Sequence, residues 1–227
     1  MADTHPVRTF VVRAGRMTDA QKRALELHGS NYIIPYSNRK TDFIIFFDEK
    51  KPLVAEIGFG MGQATRQIAV QRPEFNYLGI EVHTPGVGRL IMEIANHEIK
   101  NLKIIQHDAV EVFANMIPDA SLAGIHLFYP DPWPKKRHHK RRIIRPELVS
   151  LFASKLAPGG YFYFVTDVEE YALASLSVLS ENSQLRNPFG GFAPRQGWRP
   201  ETKFEKRAKT AGTEKAAWEL YFIRTGN

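Results

Sequence analysis

The chain reads as an open α/β fold: a mostly parallel sheet with helices on both faces, finished at one edge by an antiparallel strand. Three observations lead there. Between residues 53 and 180, short apolar runs that suit buried strands alternate with helical patterns, and that rhythm demands parallel strands joined by crossover helices. A final apolar run, K-A-A-W-E-L-Y-F-I-R, follows a stretch of weak signals and pairs best with a short strand near 184–187. Finally, 227 residues at 43% hydrophobic content can bury one good core.

Residues 1–17 form an arm without a clear period. Thr18 and Gln21 make a capping box that opens a short helix, and Gly29 supplies its stop. Asn31 to Lys51 is extended and aromatic-rich, so residues 1–50 are read as an N-terminal extension and 51–227 as the main domain. L-V-A-E-I is then a buried strand, and G-F-G-M-G turns it into the helical Q-A-T-R-Q-I-A-V. N-Y-L-G-I-E is a second strand, followed by a helix over 84–98. L-K-I-I-Q is the third, before the helical A-V-E-V-F-A-N-M, and S-L-A-G-I-H-L-F-Y is the fourth. Pro146 sets the first turn of another helix, which Pro158-Gly159-Gly160 closes. Y-F-Y-F-V-T is the fifth strand and E-E-Y-A-L-A-S-L-S-V-L the helix after it, which makes seven strands with the two at the edge.

Composition excludes several classes. With no cysteine there is no disulfide, thiolate nucleophile or cysteine zinc site, and a cytoplasmic setting fits. No apolar run approaches the ~18 residues needed to span a bilayer, and the N-terminus lacks the apolar core of a secretory signal. The eight histidines show no HExxH or comparable spacing, so no metal is expected.

Acids mark the strand ends: Glu56, Glu81, Asp108, Asp131 and Asp167 close the first to fifth strands. In a parallel sheet all these ends share the edge where such sheets bind ligands. Each acid alone could be a helix cap, Asp108 above all; five in register suggest a crevice that takes a cationic ligand. E-I-G-F-G-M-G places Gly58, Gly60 and Gly62 where backbone can approach that ligand, but Gln63 stands where a dinucleotide-binding G-x-G-x-x-G would need its third glycine. Glu81 is spaced to accept from a ribose diol and Asp108 from an adenine amine. S-adenosylmethionine, a nucleoside with ammonium and sulfonium charges, suits such a pocket.

The stretch F-Y-P-D-P-W-P-K-K-R-H-H-K-R-R-I-I-R joins an acid to a cationic run. Pro130 and Pro132 hold Asp131 on a stiff, non-helical segment. Seven Lys/Arg follow with no acid among them, and removing them from the 31 basic residues leaves 24 against 24 acidic. The net charge of +7 is therefore local, and it points to a polyanion partner at one place. A solvated loop is the competing reading, and Trp133 suits either packing or base stacking.

With E-x-G-x-G-x-G, H-D-A, P-D-P-W-P-K-K-R-H-x-K-R-R, T-D and R-P-x-T-K-F-E in sequence, the chain resembles the bacterial tRNA (guanine-N7-)-methyltransferase family from about Arg16 onward. The resemblance implies a class I S-adenosylmethionine-dependent methyltransferase fold, which is Rossmann-like, and methylation of a variable-loop guanine (position 46) in tRNA. It implies that Glu56, Glu81, Asp108 and Asp131 contact the cofactor. It also implies that Lys135, Asp167, Thr202, Lys203, Phe204 and Glu205 contact the substrate, and that Arg137, His138, His139, Lys140, Arg141 and Arg142 touch RNA. Monomer and homodimer are both compatible with it.

Guanine N7 already presents a lone pair, so no general base is required and catalysis is mostly positioning. Asp131 is assigned to the methyl-transfer centre, and Asp167 with Glu205 to the guanine N1–H and amine. Three other readings stand beside this one. D-P-W-P is similar to the D-P-P-[FYW] of amino-methyltransferases, though tryptophan replaces the second proline. An RNA-binding subunit with a degenerate pocket is the second, and a nicotinamide oxidoreductase, disfavoured by Gln63, the third. T-x-x-E at Thr202–Glu205 is also a capping box.

Overall fold

The alternating runs become a seven-stranded sheet in the computed structural model, which describes residues 8–10, 15–201, 205 and 217–226. Strands β1 (Leu53–Ile57), β2 (Asn76–Ile80), β3 (Leu102–Ile105), β4 (Leu122–Phe128) and β5 (Leu156–Thr166) run parallel. β1 and β2 are buried at every residue, as strands covered on both faces must be. At the far edge β7 (Trp218–Arg224) lies antiparallel to β5 and to the short β6 (Leu185–Arg186). The spatial order is β3-β2-β1-β4-β5-β7-β6. The chain builds outward from β1 to β3 and then resumes at β4, so a crevice opens beyond the ends of β1 and β4.

Strand alternation divides the core in two. Val54, Tyr77 and Ile104 face Ala24 of α1 (Asp19–Tyr32), Ile68 of α2 (Gln63–Gln71) and Ile91 of α3 (Thr84–Asn96). Their neighbours Ala55, Leu78 and Ile105 face the other way, with Phe152 of α5 (Pro146–Lys155) and Leu179 of α6 (Glu169–Ser180). Among the described residues, no helix is long and apolar enough to cross a membrane.

Local structure departs from expectation in four places. The Thr18–Gln21 capping box forms, but α1 runs through Gly29 to Tyr32. Gly29 is a buried helical residue where a side-chain carbon would make only ordinary contact with Leu25 and Ile33, at 3.5 and 3.8 Å, so the position neither stops the helix nor demands glycine. The stretch after α1 is not simply extended: Ile34 N–H donates to Ile104 O at 2.8 Å, a 3₁₀ turn forms over Phe43–Phe46, and Ile34, Phe43 and Phe47 are buried in the core. The helix after β3 is only Ala109–Glu111 (α4) before it widens into a π turn over Val112–Met116, with Ile117 N–H reaching Val112 O. Pro158-Gly159-Gly160 does not end α5 but forms a bulge within β5, where pairing shifts from Leu122↔Leu156 to Gly124↔Tyr161. A side chain on Gly160 would meet Leu122 O at 2.8 Å.

Candidate active site

A cavity of about 360 Å³ sits at the carboxyl ends of the parallel strands. Ile57, Gly58 and Gly60 line it from β1, Ile80 to His83 from β2, His107 and Ala109 from β3, and Leu127 to Asp131 from β4. Gly58 and Gly60 have φ of +72° and +58°, and no described atom lies within 4 Å of where a side chain would begin on either. A left-handed turn that opens onto empty space is what close approach of a ligand to backbone requires.

Of the five strand-end acids, Glu81 and Asp131 line this cavity and the other three do not. Glu81 binds the loop opposite it: Gly60 N–H donates to Oε2 at 2.8 Å, and the N–H groups of Val82 and His83 donate to Oε1 at 2.7 and 2.9 Å. A carboxylate has about four acceptor sites, so room remains for one further donor. Glu56 sits fully buried within β1, in register with Gly79 and His126. Its Oε2 has no hydrogen-bond partner among the described residues. Burial lifts its carboxyl to about 7, the nearby Thr65 hydroxyl opposes that, and the Glu81 charge adds to it. Asp108 caps α4, accepting from Val110 N–H at 2.8 Å, and burial raises its carboxyl above the ordinary value. The wall residue at that strand end is instead His107, stacked on Tyr36 at 3.7 Å. Asp167 follows Thr166 at the end of β5, half-buried and off the wall. Strand-end position alone therefore does not decide where a side chain points: pleat alternation buries Glu56, and orphan helix N–H groups capture Asp108.

The proline-flanked acid is exposed at the rim. Tyr129 and Trp133, which bracket Pro130-Asp131-Pro132, have φ of 51° and 46°, a left-handed backbone that bulky residues adopt only under strain. The basic run then folds as a 3₁₀ helix over Lys136–Arg141. Lys135, Lys136, Arg137 and Lys140 are exposed, while His138 and His139 are half-buried. Arg141 lays its guanidinium 4.1 Å over the Trp133 ring and donates to Arg8 O at 3.1 Å. The Trp133 indole N–H donates to Thr9 O at 3.2 Å, and Thr9 and Phe10 line the cavity. Trp133 thus packs, and the N-terminal arm reaches the site, which nothing in its sequence signals.

Arg142, expected to touch RNA, is 5% exposed. Its Nε–H donates to Pro132 O at 2.9 Å, its Nη groups hold both carboxylate oxygens of Glu170 at 3.0 and 2.5 Å, and it lies 4.7 Å over the Tyr171 ring. The resemblance groups it with its neighbours in the basic run, whereas the Glu170 carboxylate that it meets lies 28 positions downstream.

Thr202, Lys203 and Phe204 lie outside the described residues. Glu205 is described, and Arg199 holds both its oxygens at 3.0 and 2.8 Å while also donating to Glu219 at 2.7 Å. Arg199 is 2% exposed, and its two acids keep the guanidinium firmly protonated against the cost of burial. Tyr163 donates to Glu219 as well. Burial and then a hydrogen bond to Glu205 push the Tyr129 hydroxyl well above the phenol range, which connects this network to the cavity wall. Sequence reasoning did not single out Tyr129 as a cavity residue, nor Arg199, which opens the R-P-x-T-K-F-E segment, as the cation paired with Glu205.

A sheet of this order with a glycine loop after its first strand is the class I methyltransferase fold. The solved 16S rRNA methyltransferase KamB superposes with a TM-score of 0.57 at 14% identity, over 95% of this chain and 99% of that one, a likeness of fold. A family model described as "Putative methyltransferase" matches residues 50–218. The tRNA (guanine-N(7)-)-methyltransferase of Bordetella pertussis is 49% identical over 97% of this chain and 86% of its own length. That of Thiobacillus denitrificans is 48% identical over 96% and 95%. The chain belongs to the tRNA (guanine-N7-)-methyltransferase family.

Proposed function

We propose that this protein methylates N7 of a guanine in tRNA, in the variable loop at position 46, and that it does so in the cytoplasm. One observation carries the reading beyond family membership: a cavity-wall acid, Asp131, and four exposed cations, Lys135, Lys136, Arg137 and Lys140, share a single short segment. A cofactor cavity and a polyanion surface therefore meet at one edge.

The residues present fit S-adenosylmethionine, which supplies an electrophilic methyl group on its sulfonium. Open space faces Gly58 and Gly60, Glu81 keeps acceptor capacity for a ribose hydroxyl, and the buried Glu56 carboxyl, whose Oε2 has no hydrogen-bond partner among the described residues, lies behind the loop as a counter-charge. Asp108 stays an acceptor candidate for the adenine amine. Guanine N7 attacks with its own lone pair and releases no proton, so the protein's work is orientation and charge. Asp131 stabilises the positive charge that moves onto the base. Asp167 accepts from guanine N1–H and its amine. Glu205, paired with Arg199, presents negative charge beside Tyr129, with Thr202 to Phe204 as the adjoining substrate contacts. The exposed cations, with Arg141, His138 and His139 beside them, hold phosphate, which gives affinity without sequence information.

Transfer of a labelled methyl from S-adenosylmethionine to unmodified tRNA, followed by nucleoside analysis, tests this. The expected product is 7-methylguanosine. A methyl on an exocyclic amine, or no transfer, would overturn the assignment.

A further inference from the structure

Asp131 has little backbone support of its own. Pro130 and Pro132 supply no N–H, and the two residues that flank them, Tyr129 and Trp133, hold left-handed φ angles. Such a segment stays in one shape only if its surroundings impose it. On the N-terminal side Tyr129 N–H is tied to Val165 O at 2.8 Å. On the C-terminal side the carbonyl directly after Asp131, that of Pro132, accepts from Arg142 Nε at 2.9 Å.

Arg142 is itself fixed from three directions. Glu170, in the first turn of α6, takes both its Nη groups, and the Tyr171 ring lies against the guanidinium. The Tyr171 hydroxyl in turn accepts from Ile144 N–H at 3.4 Å, two residues beyond Arg142. Ile143, between them, lines the cavity. The planar fork thus joins three parts: the acid-bearing segment, the end of the basic run, and α6.

We propose that Arg142 is a positioning residue for Asp131, acting through Pro132, and not a phosphate contact. The role rests on the methyl-transfer reading above. It also explains the residue type: one Nε–H aimed at a carbonyl and two Nη groups aimed at a carboxylate need a rigid, planar donor set, which a lysine ammonium cannot reproduce. A residue that served phosphate by charge would tolerate that exchange.

Arg142→Lys is therefore the decisive variant, because it keeps the charge of the basic run and removes the fork. Single-turnover methyl transfer should fall about 10²-fold, the scale of a catalytic group displaced by ~1 Å. The KM for tRNA and the salt dependence of tRNA binding should stay at wild-type values. Glu170→Gln, a change outside the cavity, should give a smaller loss of the same kind, and it keeps the test open if Arg142→Ala does not fold. In the protein alone, amide hydrogen exchange over 128–145 should quicken in Arg142→Lys while the melting temperature stays near wild type. Wild-type turnover in Arg142→Lys would overturn the inference. So would an unchanged rate in Arg142→Ala with a salt slope shallower by ~0.7–0.9, the worth of one neutralised phosphate. If the wild type itself transfers no methyl to guanine, the functional reading falls separately, and unchanged exchange over 128–145 would then overturn the clamp.

Discussion

Glu56 makes the structure testable by pH. Burial raises its carboxyl from the ordinary 4.5 to about 7. The folded state therefore binds this proton more tightly than the unfolded chain does between those values, and the contribution of Glu56 to stability falls as pH rises through that window. At ~1.36 kcal/mol per unit, the loss amounts to about 3 kcal/mol by pH 8. His126, its register partner on β4, acts in the opposite sense. Burial lowers its imidazole from 6.5 to about 3, so its contribution rises with pH from about 3 to 6.5. The two overlap, and wild-type stability alone will show only their difference. Glu56→Gln isolates the acid. Denaturant unfolding of both proteins from pH 4.5 to 8 should show the variant gaining about 3 kcal/mol on the wild type across the series. If a cofactor cation pairs with Glu56, binding should also release a proton near pH 6, read by calorimetry in buffers of different ionisation enthalpy, and the variant should release none. Parallel unfolding curves, with a constant difference at every pH, would refute the reasoning.

Three further outcomes are expected. Asp131→Asn keeps the shape of the rim but loses its charge, so single-turnover transfer to tRNA should fall ~10²–10³-fold with no steep basic limb in the wild-type profile; near-wild-type transfer would remove Asp131 from the reaction centre. Replacing Lys135, Lys136, Arg137 and Lys140 by alanine should flatten the log–log salt dependence of tRNA binding by about 0.7–0.9 for each phosphate no longer neutralised and leave cofactor affinity alone; a slope as steep as wild type would make the run a solvated loop. Arg199→Ala leaves Glu205 and Glu219 facing each other without their shared cation, and denaturant unfolding should show a loss of about 3–5 kcal/mol; a loss no larger than the ~1 kcal/mol of a surface pair would contradict the buried network.

What the amino-acid order determined alone is the architecture and the strand edge at which the cavity opens. β1 spans Leu53–Ile57 as read, and the other parallel strands and α2, α3, α5 and α6 fall within a few residues of expectation, because burial on both faces, apolar period and the N1 proline at Pro146 are local signals. The one core strand misjudged at its start, β5, takes in the bulge at Gly159-Gly160, whose shape depends on the Leu122 carbonyl of another strand. Side-chain surroundings were decided only by tertiary contacts. Glu81 could be placed at a strand end, but its first donor, Gly60, lies 21 residues back. Arg137 and Arg142 look alike in a run of cations, yet one is exposed and the other is buried against Glu170 and Pro132. Charge and chain position are properties of the sequence. Which charges face solvent and which are closed in by distant partners is settled only when the elements pack, because desolvation and hydrogen-bond satisfaction act between residues far apart in the chain.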